Sequence, residues 1–286
     1  MLRRKKNGIF FLTLFAVISL GSTFLYSTGA LAASPSSKMQ RMTTFVGGDI
    51  HTLTFTKSSI FITGHEAGSY TTNEGLKWRA ISSLDNADIM GWATTEFGYL
   101  AGGHNGLYTS TDNGKRFTRF KFYGNVSDVH SLGAAKKNVY LGSPQVGFLR
   151  SVDAGRTWKL VNKKIGQGFM GSMLVNPLNP LTVIAADMSN GLVLTTDGGK
   201  TWTRFGGPDG AMSVAWNSQN TKEILALGMG VGGRTTDGGK TWSAFSVPMG
   251  SSAIAISPKT KRIYVAILVG DRAKVLSSDN FGKSWG

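Results

Sequence analysis

Short runs of β-branched and aromatic residues recur along most of this chain, at 50–55, 60–63, 129–132, 139–141, 183–186, 224–227 and 263–268. Turns rich in Gly, Asn and Pro separate many of them, which predicts short strands joined by tight turns rather than helices. An uncharged, largely apolar stretch lies elsewhere, at residues 9–32, behind Arg3, Arg4, Lys5 and Lys6. It ends on Ala30-Leu31-Ala32, followed by a polar stretch to Gln40. A basic start, an apolar centre and small residues at the last positions describe a secretory signal peptide. We expect cleavage after residue 32, a short linker at 33–40 and a folded body at 41–286. An uncleaved anchor is the alternative, since about 20 apolar residues can span a bilayer.

A repeat governs the folded body. Its copies are Thr71-Thr-Asn-Glu-Gly-Leu-Lys-Trp78, Ser110-Thr-Asp-Asn-Gly-Lys-Arg-Phe117 and Ser151-Val-Asp-Ala-Gly-Arg-Thr-Trp158. Further on come Thr195-Thr-Asp-Gly-Gly-Lys-Thr-Trp202, Thr235-Thr-Asp-Gly-Gly-Lys-Thr-Trp242 and Ser277-Ser-Asp-Asn-Phe-Gly-Lys-Ser-Trp285. The closing aromatics step by 39, 41, 44, 40 and 43 residues. A period near 40 suits one propeller blade per copy. Within a copy, Asp can accept backbone N–H bonds two residues on, Gly supplies the turn, and the aromatic opens the next strand. Asp112, Asp153, Asp197, Asp237 and Asp279 are thus expected to be structural. Asn73 departs from the pattern, and the last copy reads as carrying one extra residue, Phe281.

The pattern S/T-x-D-x-G-x-T-W resembles the Asp-box, or BNR, repeat of sialidases, sortilin-type receptors, photosystem assembly factors and small secreted glycosyl-hydrolase-like proteins. The resemblance covers about residues 41–286 and implies an all-β, six-bladed propeller. The last blade lacks its outer strand, and residues 41–46 are expected to supply it and close the ring. In the family the boxes lie at the periphery, away from any active site.

Aligning the repeats gathers all four histidines into two registers. Asp49-Ile-His51, Asp88-Ile-Met90 and Asp128-Val-His130 open three inner strands, with Gly171, Met212 and Ser252 equivalent to His51 elsewhere. The second register holds His65 and His104, then Gln145, Ser189, Met229 and Asp271. These positions face the central channel of a propeller, so His51, His65, His104 and His130 are the candidate binding residues. With Met90 they form a candidate metal set: imidazole plus thioether suits copper, and imidazole alone suits zinc or nickel. Asp49, Asp88 and Asp128 could orient the rings. As an alternative they are the acid and base of a glycoside hydrolase, with Glu66 and Glu96 as further carboxylates. Core methionines and turn histidines are the plain structural reading of the same residues.

Composition narrows the field. There is no Cys, which removes disulfides, thiolate metal sites and thiol nucleophiles. The 38 Gly match a turn-rich β protein. Four of the 31 basic side chains and none of the 16 acidic ones fall in residues 1–32, so the body remains basic by about eleven charges. Lys77, Lys115, Arg116, Arg156, Lys200, Lys240 and Lys283 recur in the repeats and would ring one edge. An exported basic protein favours an extracellular glycan, wall polymer or protein ligand over nucleic acid. The family's sialidase phrase Arg-Ile-Pro does not occur, nor does a Walker loop, a G-x-S-x-G elbow or H-E-x-x-H. The expectation is therefore a monomeric binding or scaffolding module at the cell surface, with no stable membrane span once the signal is removed and with glycoside hydrolysis as the rival.

Overall fold

A computed structural model describes residues 48–286, apart from 58, 66–67, 72–76, 123–125 and 218. The expected signal peptide, the linker, the closing strand at 41–46, Glu66 and most of the first repeat copy lie outside the described residues.

The chain runs through six successive antiparallel meanders. The first comprises β1 (Ile50–Phe55), β2 (Ile60–Gly64), β3 (Gly68–Thr71) and β4 (Arg79–Ile81). The second is β5 (Ile89–Thr95), β6 (Gly98–Gly103), β7 (Gly106–Ser110) and β8 (Thr118–Arg119). The third is β9 (Ser131–Ala135), β10 (Asn138–Ser143), β11 (Gly147–Ser151) and β12 (Lys159–Asn162). In the fourth come β13 (Phe169–Val175), β14 (Val183–Asp187), β15 (Gly191–Thr195) and β16 (Thr203–Gly206). The fifth holds β17 (Ser213–Asn217), β18 (Asn220–Leu227), β19 (Gly232–Thr235) and β20 (Ser243–Phe245). The sixth has three strands among the described residues, β21 (Ser251–Ile256), β22 (Ile263–Val269) and β23 (Arg272–Ser278). The strand expected at 129–132 begins two residues later, because Val129 and His130 lie ahead of the regular ladder.

The first strand of each meander is innermost. β1 touches β5, β5 touches β9, and the series continues through β13, β17 and β21 back to β1. At one junction the inner strands pair directly, β9 with β13 in parallel through Ser131–Gly171 and Leu132–Ser172.

Six apolar clusters straddle the six junctions, and each contains one closing aromatic from the repeats. Phe117 packs with Phe61, Ile81 and Trp92 between the first and second meanders. Trp158 joins Leu100, Leu132 and Leu141 between the second and third. Trp202 sits with Tyr140, Phe148 and Phe169, Trp242 with Ile184, Leu192 and Ile224, and Trp285 with Leu225, Ile254 and Val265. Trp78 completes the series against Ile50, Ile62, Tyr264 and Val275, which joins the sixth meander to the first. Burying one such side chain contributes about 1.5–3 kcal/mol, so the junction clusters carry the fold.

The turn that aims each aromatic is held by its own side chains. In the fourth copy, Thr195 Oγ1 donates to Asp197 Oδ1 (2.8 Å) and accepts the Gly199 N–H (2.9 Å). Asp197 accepts the amides of Lys200 and Thr201 and the Thr201 hydroxyl. Asp112, Asp153 and Asp237 take part in the same set of bonds. The sixth copy corrects the sequence reading. There Ser278 Oγ bonds Asn280 Oδ1 (2.9 Å) and Gly282 N (2.9 Å), and Asn280 Oδ1 accepts the Ser284 N–H (3.0 Å). Asn280 fills the role assigned to Asp279, and no residue is inserted. Asp279 instead receives both Nε (2.6 Å) and the second amino group (2.9 Å) of Arg262.

The hub is pinched. A Cβ on Gly171, at φ +66°, would lie 3.2 Å from Met212 O and 3.5 Å from His51 O, so three inner strands nearly touch there. Ser172 Oγ also donates across the hub to Trp92 O (3.2 Å). Beyond this level, at the far ends of the inner strands, lies a recess of about 410 Å³ lined by Leu53, Phe55, Leu174, Val214, Trp216 and Ile254.

Two outcomes follow. Thr195→Val removes a buried hydroxyl while leaving Gly199 N–H and Asp197 in place, so urea unfolding should show a loss of about 1–3 kcal/mol. Burial alone would raise the Asp153 carboxyl, but bonds from Thr157, Ser151 and two amides outweigh it and hold the group down at about 2. A lowered folded value means stability present above the unfolded carboxylate range and lost as pH falls through it. Unfolding followed from about pH 4 to 2 should show that decline, and Asp153→Asn should make it shallower, the carboxyls of Asp112, Asp197 and Asp237 carrying the rest.

Candidate functional site

The histidines are set by a local device that the sequence repeats. β2 and β6 end in Gly64 and Gly103, whose missing side chains admit the Asp49 and Asp88 carbonyls: a Cβ would fall 1.9 Å and 2.1 Å from those oxygens. The next residue then hydrogen-bonds the same carbonyl, His65 N to Asp49 O (2.9 Å) and His104 N to Asp88 O (3.3 Å). Asp88 itself takes a left-handed φ of +45°, uncommon for a residue with a side chain. On the inner strands the ladder skips one position, between Ile50 and Thr52, Ile89 and Gly91, and Ser251 and Ala253. The skipped residues are His51, Met90 and Ser252, and such a bulge re-aims the side chain it carries. His130 is held by its amide to Gly142 O (3.0 Å) and by its carbonyl, which accepts the Gly171 N–H (3.1 Å).

These devices bring the four imidazoles into one row. His51 and His65 meet edge to face at 4.8 Å between centroids, His65 and His104 stack at 5.9 Å, and His104 and His130 meet edge to face at 5.0 Å. Three carboxylates line the row. Asp49 Oδ2 is 3.7 Å from His51 Nε2, and Asp88 Oδ1 is 3.7 Å from His65 Nδ1. Asp128 Oδ1 lies 3.2 Å from His104 Nδ1 and 3.1 Å from His130 Nε2. His65 and His104 thus reach the carboxylate of the following meander, a pairing the repeat alignment did not anticipate. The signal was present in the sequence, since each such Asp opens the repeat that follows its His. Met90 is buried at the bulge corresponding to His51. Glu96 lies elsewhere, 3.7 Å from Lys137.

Burial decides the protonation state at the ends of the row. His51 is pushed down to about 4, chiefly because its surroundings desolvate the cation; Asp49 works against this and the other imidazoles with it. His130 is lowered for the same main reason, opposed by Asp128. Neutral imidazole is the form that can donate a lone pair to a metal ion. The Nε2 atoms of both residues are buried without a hydrogen-bond partner, Asp128 Oδ1 lying near His130 but off the line of a bond. Asp49, His51 and His65 can each offer one ligand atom, all within 4.8 Å of one another, and so can His104, Asp128 and His130.

The boxes and their basic residues are remote from this chemistry. The box carboxylates are occupied by bonds within their own turns, and the seven basic residues at the boxes are solvent-exposed. Arg156 lies over the Phe97 ring at 4.4 Å. Among the described residues, no helix is long and apolar enough to cross a membrane.

Comparison with known proteins agrees with this architecture. The BNR/Asp-box repeat family matches residues 193–204 and 234–244, two of the three copies that keep the full pattern. A GH74 enzyme from Niastella koreensis is similar in structure, with a TM-score of 0.59 at 16% identity, over 86% of this chain and 55% of that one. The nidogen/laminin complex gives 0.61 at 8% identity over 77% and 88%, and YCF48 bound to D1 peptide gives 0.50 at 17% over 70% and 66%. The chain spans about half the length of the GH74 structures it resembles. No curated protein matches it. The chain thus carries BNR/Asp-box repeats on an all-β fold similar to that of known propellers.

His51 gives a pH signature in metal-free buffer. Both states are neutral above about 6.5, and below it the unfolded chain binds a proton that folded His51 refuses until about 4. Stability should therefore decline as pH drops from about 6.5 to 4, by linkage, and His51→Gln should make the decline shallower, His130 accounting for part of what remains. An imidazole NMR titration of His51 with a midpoint near 6.5 would contradict the burial argument.

Proposed function

We propose that this chain is an exported, ligand-binding propeller of the cell surface whose histidine face holds a divalent transition metal, zinc or copper. One observation carries the reading: four imidazoles and three carboxylates from three meanders converge on one mouth of the hub. Each end of their row carries a buried nitrogen without a hydrogen-bond partner. Leaving such an atom unsatisfied costs about 1–3 kcal/mol, which a metal bond would offset. Imidazole with carboxylate suits borderline divalent ions, so zinc and copper(II) fit better than the soft cuprous ion that a thioether set would favour. Export rests on the basic, apolar and A-x-A pattern of residues 1–32.

The hydrolase alternative rests on likeness to GH74 enzymes and on Asp49, Asp88 and Asp128. Fold likeness does not carry activity. Each of those carboxylates lies within 3.7 Å of an imidazole, an arrangement suited to holding a cation. What the loaded face would present itself to, a glycan, a wall polymer or a protein, is the outer layer of the proposal.

Thermal unfolding tests the reading directly. Zinc or copper(II) at tenfold excess should raise the melting temperature, and a His51→Ala/His130→Ala variant should lose that rise while keeping its far-UV spectrum. An unchanged wild-type transition would overturn the proposal. Release of sugar from a glycan panel, abolished by Asp88→Asn, would establish the hydrolase instead.

A further inference from the structure

We infer that the histidine row is two metal sites, each built from two imidazoles and one carboxylate: His51, His65 and Asp49 form one, His104, His130 and Asp128 the other. This rests on the metal-binding reading above and specifies its stoichiometry and ligands.

Two imidazole nitrogens are buried without a hydrogen-bond partner, His51 Nε2 and His130 Nε2, at the opposite ends of the row. Two further imidazoles, His65 and His104, stand between them, joined to each other by a 5.9 Å stack. Ligand atoms around one tetrahedral ion lie about 3.3 Å apart when each bond is about 2.0–2.1 Å. Asp128 Oδ1 meets that spacing with both of its imidazoles, at 3.2 Å and 3.1 Å. Asp49 and His51, at 3.7 Å, are a few tenths of an ångström from it. Within each triad all three ligand atoms fall inside 4.8 Å, whereas the row as a whole spans three successive ring contacts. One ion satisfies one triad and leaves the other orphan where it was.

Each triad has one carboxylate of its own, Asp49 beside His51 and Asp128 beside His104 and His130. Asp88, 3.7 Å from His65, stands between the triads and orients the ring that links them. Three protein ligands per ion leave positions open for water or an outside donor, the arrangement of sites that bind something further.

Metal content decides the matter. The full chain, stripped with chelator, reloaded with zinc and dialysed, should hold two ions by elemental analysis. His51→Ala and His130→Ala should each hold one, and the double variant none. One ion in the wild type would overturn the two-site inference and leave the metal-binding proposal standing; none would overturn both. The wild type alone supplies a second readout that no folding defect can disturb. Loaded with two equivalents of copper(II), it should give an electron paramagnetic resonance spectrum broadened by coupling between neighbouring ions. Two equivalents bound with the spectrum of isolated ions would place the second elsewhere and overturn the inference.

Discussion

A flat antiparallel meander has an apolar face it cannot cover, and everything in this protein follows from covering it with the next copy of itself. The junction clusters are alike in plan: a large aromatic leaves the turn of one meander and packs among the strands of the meander before it. A chain built this way has no single centre. Its core is six thin layers, and each needs its neighbour in place before it excludes water. The polar turns are consequences of that need, since a Thr, an Asp and two or three amides must hold the aromatic at one angle. Asn280 shows that the turn asks for an acceptor of the right shape rather than for charge.

The same wrapping creates the histidine row. Inner strands begin at one mouth of the hub, so residues about 40 positions apart become neighbours there. Bulges at His51 and the Gly-His steps at 64–65 and 103–104 turn that proximity into contact. Burial then does the electrostatic work. Desolvation at the two ends disfavours the imidazolium and leaves lone pairs facing a carboxylate. A surface cluster of the same composition would hold its protons and its water, and would lack the unpaired nitrogens on which the metal reading stands.

Much of the fold was legible because its signals are local and repeated: turn acceptors, a glycine and an aromatic at fixed spacing. The two registers of histidine were legible for the same reason, as a phase within the repeat. What the alignment could not carry was the handover between meanders. His65 and His104 take their carboxylates from the next copy, which depends on how neighbouring sheets lean on each other and not on distance along the chain. The last repeat was misread by one position, because Asp279 looks like the acceptor until Arg262 is seen to claim it. Strand β9 begins late because the Val129 N–H is given to Gly103 O of the preceding meander rather than to β10.

The pinch at Gly171 brings three stretches of backbone nearly into contact, with the imidazoles at one mouth of the hub and the apolar recess at the far ends of the inner strands. The two ends are therefore furnished by different side chains from the same strands. A substitution in the recess can change its lining without replacing any imidazole or carboxylate of the row.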